Sequence, residues 1–262
     1  MILINKKYKI LNKIGEGNFG FIFKAQNIRT NEFVAVKVEP IQNNTKMIKK
    51  EAVIYQYLNN INRAPVVKWF GKDDCNYYMV INLLGESLQS IKNKVDAFSL
   101  LNVLQIAKQV ISILEFIHSK GLIHRDIKPD NFLIGLNNDI NNIYIIDFGL
   151  CKPFLINDSH ICEKRTNNLI GSLTYASINA HNCTELSRRD DLESVGYMLL
   201  YFYLGKLPWQ DTNKDKIMQM KLDIINDATL PEVLINFIKY VRNLAFVETP
   251  DYTIIFELFN KV

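Results

Sequence analysis

Asp126, Lys128 and Asn131 stand close together in His124-Arg125-Asp126-Ile127-Lys128-Pro129-Asp130-Asn131, and a β-type run, Ile143-Tyr144-Ile145-Ile146, leads into Asp147-Phe148-Gly149. These types at these spacings suit one kind of chemistry. An aspartate in the position of Asp126 accepts the proton of an attacking hydroxyl, and an asparagine and an aspartate in the positions of Asn131 and Asp147 offer hard oxygen ligands to a divalent cation. Two such ligands together with phosphate oxygens suit magnesium, which keeps several waters and prefers octahedral oxygen coordination. Lys128 would bring a cation to a phosphoryl group in transfer, where charge has to be stabilised. His124 and Arg125 read as structural supports. Taken singly, Asp126 and Asp147 are also what a turn would use and Asn131 what a cap would use; their joint order and setting carry the reading.

A second set lies nearer the amino terminus. Gly15-Glu16-Gly17-Asn18-Phe19-Gly20 falls between two β-type runs, so its glycines would let a hairpin close over a ligand with backbone N–H groups near phosphate oxygens. A dinucleotide-binding turn would instead lead into a helix, whereas here Phe21-Ile22-Phe23 continues as a strand. In Val34-Ala35-Val36-Lys37-Val38 the lysine is the one charge in an apolar run, and burying it requires a counter-charge or an anionic ligand. Glu51 on the next helix is the natural partner, and the pair would point the Lys37 ammonium at the α- and β-phosphates of ATP.

The elements needed to position these groups are legible. Tyr8–Leu11, Phe21–Lys24, Phe33–Val38, Val66–Phe70 and Tyr77–Leu83 read as strands, broken by one helical stretch in which Met47, Ile48, Glu51, Ala52, Ile54, Tyr55 and Leu58 share a face. Past Leu84-Gly85 the character turns helical. Ser99 caps a long amphipathic stretch to His118 that Gly121 ends, and helical periods follow over Asp191–Leu204, Lys214–Ile225, Val233–Phe246 and Asp251–Phe259. The change of character near Asn82 to Glu86 sets a division into residues 1–84 and 85–262.

A more specific resemblance lies in the second part. Gly171-Ser172-Leu173-Thr174-Tyr175-Ala176-Ser177-Ile178-Asn179-Ala180-His181, Ser187-Arg188-Arg189-Asp190-Asp191-Leu192-Glu193-Ser194-Val195-Gly196-Tyr197 and Leu207-Pro208-Trp209-Gln210 resemble the casein kinase I family, as do the catalytic-loop string, Leu83-Leu84-Gly85 and Pro250-Asp251-Tyr252. The vaccinia-related and tau-tubulin kinases share part of this pattern. The resemblance implies an α+β, bilobal protein-kinase fold, with a small β-rich N-lobe carrying one main helix and a larger, mainly helical C-lobe. It implies a non-specific serine/threonine protein kinase that uses ATP and Mg2+, with Asp126, Lys128 and Asn131 catalytic and Asn131 and Asp147 on the metal. Nucleotide contacts would come from Ile14, Gly15, Glu16, Gly17, Asn18, Phe19, Gly20, Ile22, Ala35, Lys37, Glu51, Leu133, Ile146 and Asp147, with Ile81 behind the adenine and Asn82, Leu83 and Leu84 bonding it through their backbones. Asp191 would brace the catalytic loop from a buried helix, and no activation-loop phosphorylation would be needed.

One departure bears on substrate choice. The family places an arginine before the tyrosine of its G-T-A-R-Y-A-S-I-N string, part of an anion site for an acidic or phosphorylated residue upstream of the target; here Thr174 stands there, and a neighbouring lysine is Asn167. Lys164, Arg165, Lys214 and Lys216 are the available substitutes. Weaker dependence on phosphate priming is the expectation.

Composition narrows the remaining classes. A net charge of +4, with Lys and Arg scattered, gives no nucleic-acid stripe. Cys75, Cys151, Cys162 and Cys183 have no zinc-site spacing and read as reduced thiols. The start of the chain has too short an apolar run for a secretory signal, and Val195–Leu204 reads as a buried core helix, so an intracellular monomer without a membrane anchor, in cytoplasm or nucleus, is the expectation. Two rival readings stay open at this point: a scaffold that keeps the fold without transfer, and a small-molecule kinase.

Overall fold

The computed structural model describes residues 2–17, 20–41, 47–58 and 63–260; the expectations for Asn18 and Phe19 lie outside them. The chain divides into two units, one comprising 1–86 and 133–149 and the other 87–132 and 150–262. The 133–149 segment, which carries Asp147, therefore belongs with the first unit, where a single cut at 84/85 assigns it to the second.

In the first unit, six strands among the described residues form one antiparallel sheet: β1 (Leu3–Ile4), β2 (Tyr8–Gly17), β3 (Gly20–Asn27), β4 (Phe33–Pro40), β5 (Val67–Lys72) and β6 (Asn76–Asn82), in the order β1-β2-β3-β4-β6-β5. Side chains alternate along a strand, and directly paired residues share a face. Val34, Val36 and Val38 thus join Ile4, Tyr8, Ala25 and Val80 in one apolar cluster. The opposite face of β4 carries Ala35, paired with Ile81, and Lys37, paired with Ile22 and Met79. Because both faces of β4 are covered, Val34, Ala35 and Val36 are all buried. Helix α1 (Met47–Tyr57) buries Ile48, Glu51, Ala52 and Tyr55, the three-and-four spacing that the sequence pattern predicts. Its first turn is held by Glu39, a buried carboxylate whose Oε2 accepts the Ile48 amide at 2.9 Å.

In the second unit, Ser87 caps α2 (Leu88–Lys92) and Ser99 caps α3 (Leu100–Ser119), each hydroxyl accepting an amide of the first turn. By length and hydropathy α3 is the one helix, among the described residues, that could cross a membrane, but its stripe of Val103, Leu104, Ala107, Val110, Ile111, Leu114 and Ile117 is buried in the unit's core. Short strands follow: β7 (Leu122–Ile123), the mutually paired β8 (Phe132–Ile134) and β9 (Ile143–Ile145), which apart from Phe132 lie in the 133–149 segment of the first unit, then β10 (Lys152–Pro153), paired with β7, and the β11 (Leu155–Ile156) and β12 (Ser159–His160) hairpin. The remaining helices are α4 (Ile178–His181), α5 (Arg188–Leu204), α6 (Lys214–Asp223), α7 (Glu232–Asn243) and α8 (Tyr252–Asn260). Leu192 to Phe202 of α5 is buried throughout, so α5 is the central helix of this unit, packed against α3 and α7.

Candidate active site

Within the first unit, Lys37 crosses from β4 to α1. Its Nζ donates to Glu51 Oε2 at 2.7 Å and to Asp147 Oδ1 at 3.2 Å. Burial opposes its positive charge, but the two carboxylates outweigh it, and the lysine is held charged well above its usual range. Burial pushes Glu51 up to about 7 against the pull of Lys37. Tyr55 lies one turn beyond Glu51 on the same face of α1. Its hydroxyl accepts the Asp147 amide at 3.2 Å, and its ring meets the buried Phe148 edge-on at 4.8 Å. The helix that supplies Glu51 therefore also holds the Asp-Phe-Gly turn, where Asp147 has φ 63°.

The Gly-rich strands divide by cause. A Cβ at Gly20 would lie 1.9 Å from the Val38 carbonyl oxygen, so close strand packing requires this glycine. At Gly17 a Cβ would meet nothing within 4 Å among the described residues, so these do not demand glycine there. Gly15 and Ile22 are paired, Ile22 faces Lys37 across the ladder, and Ile14 is exposed. Of the expected adenine-pocket residues, Ala35 and Ile81 are direct partners, and Leu83, Leu84, Leu133 and Ile146 are half-buried in this same unit. The stretch carrying Leu83 and Leu84 is tied to β8 by Gly85 N to Ile134 O, 2.9 Å, and Ile134 N to Glu86 O, 3.0 Å.

Within the second unit, Asp126 is the hub of the loop after β7. Oδ2 accepts Lys128 Nζ at 2.6 Å, and Oδ1 accepts the hydroxyl of Ser172 at 2.9 Å. Asn131 Nδ2 donates to the Asp126 carbonyl at 2.8 Å, which commits its amide nitrogen and leaves its carbonyl oxygen as the atom it could offer a cation. The loop is braced from below by Asp191 of α5. Its Oδ2 accepts the His124 amide and its Oδ1 the Arg125 amide, both at 2.7 Å, and His118 Nε2 donates to Oδ2 at 3.0 Å. His118 Nδ1 then accepts from the Tyr252 hydroxyl. Burial would raise the Asp191 carboxyl, but the bonds from His118 and the charges and amide around it hold it below its ordinary range. Arg125 sits at φ 68°, a left-handed conformation costly for a non-glycine residue, and the Asp191 bonds together with Arg125 Nε to the Leu150 carbonyl, 2.7 Å, hold it there.

The Ser-Ile-Asn string has a local logic. Ser177 Oγ and Asn179 Nδ2 both donate to Asp190 Oδ1, at 2.7 and 3.0 Å, while Asp190 Oδ2 accepts the Ser187 amide at 2.8 Å. Burial lifts Asp190 to about 6. Lys164, Arg165, Lys214 and Lys216 are all exposed, and Thr174 is anchored through its carbonyl, which accepts Trp209 Nε1 at 2.8 Å.

Among the described residues no group of three His, Cys, Asp or Glu side chains could hold a metal alone. Asn131 in the second unit and Asp147 in the first each carry an oxygen donor of the hard kind that magnesium prefers. Glycine-lined strands, a lysine held charged by a helix carboxylate, and a loop aspartate flanked by lysine and asparagine define an ATP-dependent phosphotransferase. The family model for the protein kinase domain matches residues 8–244, and the chain belongs to the protein kinase family. ATP is accordingly its phosphoryl donor and proteins are its acceptors.

Sequence reasoning did not single out Tyr55, His118 or Ser172 as site residues. Tyr55 was recoverable from its position four residues after Glu51. Ser172 stands in the quoted Gly171–His181 string, yet nothing local in that string links it to Asp126, which lies far away in the chain.

Proposed function

We propose that this protein is a serine/threonine kinase of casein kinase I type, acting inside the cell on acidic, casein-like segments. The observation that carries the reading is the bonding of Asp126, with Lys128 on one carboxylate oxygen and Ser172 on the other. In this reading Asp126 orients the acceptor hydroxyl and takes its proton as the hydroxyl oxygen bonds to the γ-phosphorus. The bond from that phosphorus to the bridging oxygen breaks, and ADP leaves with the bond's electron pair. Lys128 stabilises charge on the phosphoryl group in flight, and a lysine two residues after the base is the placement that resembles serine/threonine rather than tyrosine enzymes. Lys37, held by Glu51, binds the α- and β-phosphates. Asn131 and Asp147 are the proposed magnesium ligands, and the metal, when bound, neutralises phosphate charge.

Thr174 in place of the family arginine supports weakened phosphate priming. Loss of a charge-assisted hydrogen bond is worth about 1.5–3 kcal/mol, or roughly tenfold to a hundredfold in preference. The test is labelled casein followed by phosphoamino-acid analysis, with a pair of peptides differing only in an upstream phosphoserine. Label on serine and threonine, and a priming preference below about a hundredfold, support the proposal. Label confined to tyrosine refutes the serine/threonine assignment, and a stronger preference refutes the effect of Thr174.

A further inference from the structure

Lys221 is unusual for a lysine: it lies in the last turn of α6 with no exposed surface. Its amine donates to the carbonyl oxygens of Leu173 at 3.0 Å and Ala176 at 2.6 Å, and meets His181 Nε2 at 3.2 Å. The rings of Tyr197 and Trp209 flank it, with centroids 4.7 and 5.5 Å away. None of these partners is a carboxylate. A methionine or leucine would fill this place without desolvating an amine, so the amine must serve the groups it bonds.

Those groups belong to one short segment. Ser172 accepts the amides of Tyr175 and Ala176 on its carbonyl, closing a turn, while Lys221 and Trp209 together take the carbonyls of Leu173, Thr174 and Ala176. At the other end of the turn, Gly171 has φ +90° and packs so closely on the catalytic loop that a Cβ would lie 2.5 Å from the Arg125 carbonyl oxygen. Between these two fixed points stands Ser172, its hydroxyl on Asp126 Oδ1.

We propose that Lys221 is a positioning residue for phosphoryl transfer: by pinning the carbonyls of Leu173 and Ala176 it fixes the turn that presents Ser172 to Asp126. This rests on the reading of Asp126 as the base that orients the acceptor hydroxyl. Lys221 touches neither substrate nor the reacting atoms and acts through Ser172. Residues 171–176 also carry Thr174, so the same clamp sets the backbone against which an acceptor segment would lie.

The test is a double-mutant cycle in the full chain, with wild type, Lys221→Met, Ser172→Ala and the double variant assayed for peptide phosphorylation over a range of ATP concentrations up to saturation. Lys221→Met should lower kcat about tenfold, the scale of one to two lost hydrogen bonds, with KM for ATP within about twofold of wild type. In the Ser172→Ala background the same change should be nearly silent, since coupled residues are non-additive. Lys221→Gln, which keeps two N–H donors, should lie between, and it carries the cycle if the methionine variant does not fold. An active wild type in which Lys221→Met has the same proportional effect with and without Ser172, or none, overturns the clamp alone. A wild type that transfers no phosphoryl group overturns the reading of Asp126 first.

Discussion

Asp191→Asn removes one negative charge without changing volume, and the structure allows its cost to be worked out. The carboxylate is buried and accepts three hydrogen bonds: the amides of His124 and Arg125 at 2.7 Å each and His118 Nε2 at 3.0 Å. In the amide variant one of the two oxygens becomes an NH2 group facing a donor, so at least one charge-assisted bond is lost at about 1.5–3 kcal/mol, and the others weaken to neutral bonds. A total of about 3–4 kcal/mol is expected on that scale. Arg125 then loses a restraint on its left-handed backbone, and Asp126, the next residue, shifts with it. Urea unfolding followed by circular dichroism reads the stability, and peptide phosphorylation reads kcat, which should fall by about tenfold or more, since misplaced catalytic groups cost at least that much. The pH dependence has a definite sign. The folded carboxyl lies below its ordinary value of 3.8, so the wild-type advantage is fully present above that pH and is lost as pH falls through the lower folded value. A variant that unfolds within about 0.5 kcal/mol of wild type and keeps full kcat would refute the bracing role.

Lys37→Met should cut phosphorylation by roughly 10²–10³-fold. Its thermal penalty should stay below the ~3–5 kcal/mol of a broken buried pair, because Glu51, already raised to about 7 by burial, takes up a proton instead of remaining a lone buried anion. Gly171→Ala should destabilise by at least about 2 kcal/mol, from left-handed backbone cost and overlap with the Arg125 carbonyl, and should lower kcat by displacing Ser172; chemical denaturation and initial rates measure both. Lys221 supplies a test in alkali. Burial pushes its ammonium from 10.5 down to about 7, with Glu193 of α5 opposing and Arg242 of α7 reinforcing the shift, while His181 of α4 and Tyr197 of α5 also face the amine. A depressed lysine sheds its proton earlier in the folded state, so the unfolded state binds more protons above pH 7 and stability rises with pH. The stability difference between wild type and Lys221→Met should therefore grow in favour of wild type from pH 7 to about pH 9, as read by denaturation midpoints.

The parts legible in the sequence were those written in local pattern. Alternation in Phe33–Val38 and the three-and-four spacing from Met47 to Leu58 located β4 and α1, and with them the Lys37–Glu51 pair, because strand and helix periods are properties of neighbouring residues. Ser99 and Gly121 bounded α3 within a residue or two for the same reason. Groups joined only by the tertiary fold escaped. Glu39 looks like an ordinary charged strand residue until α1 places the Ile48 amide on it, and Lys221 sits in a helix with two other lysines, Lys214 and Lys216, that are exposed. Nor does spacing reveal that Asp147 belongs with the first unit, since the segment 133–149 returns to it across a long stretch of chain.

The most direct test of the account is phosphoryl transfer from labelled ATP, with magnesium, to dephosphorylated casein by wild type and by Asp126→Asn, matched for folding. Wild type should transfer label to serine and threonine, and the variant should do so roughly 10²-fold less or lower still. Equal transfer by both proteins would contradict the assignment of Asp126, and ATP binding without transfer by wild type would contradict the account at its centre.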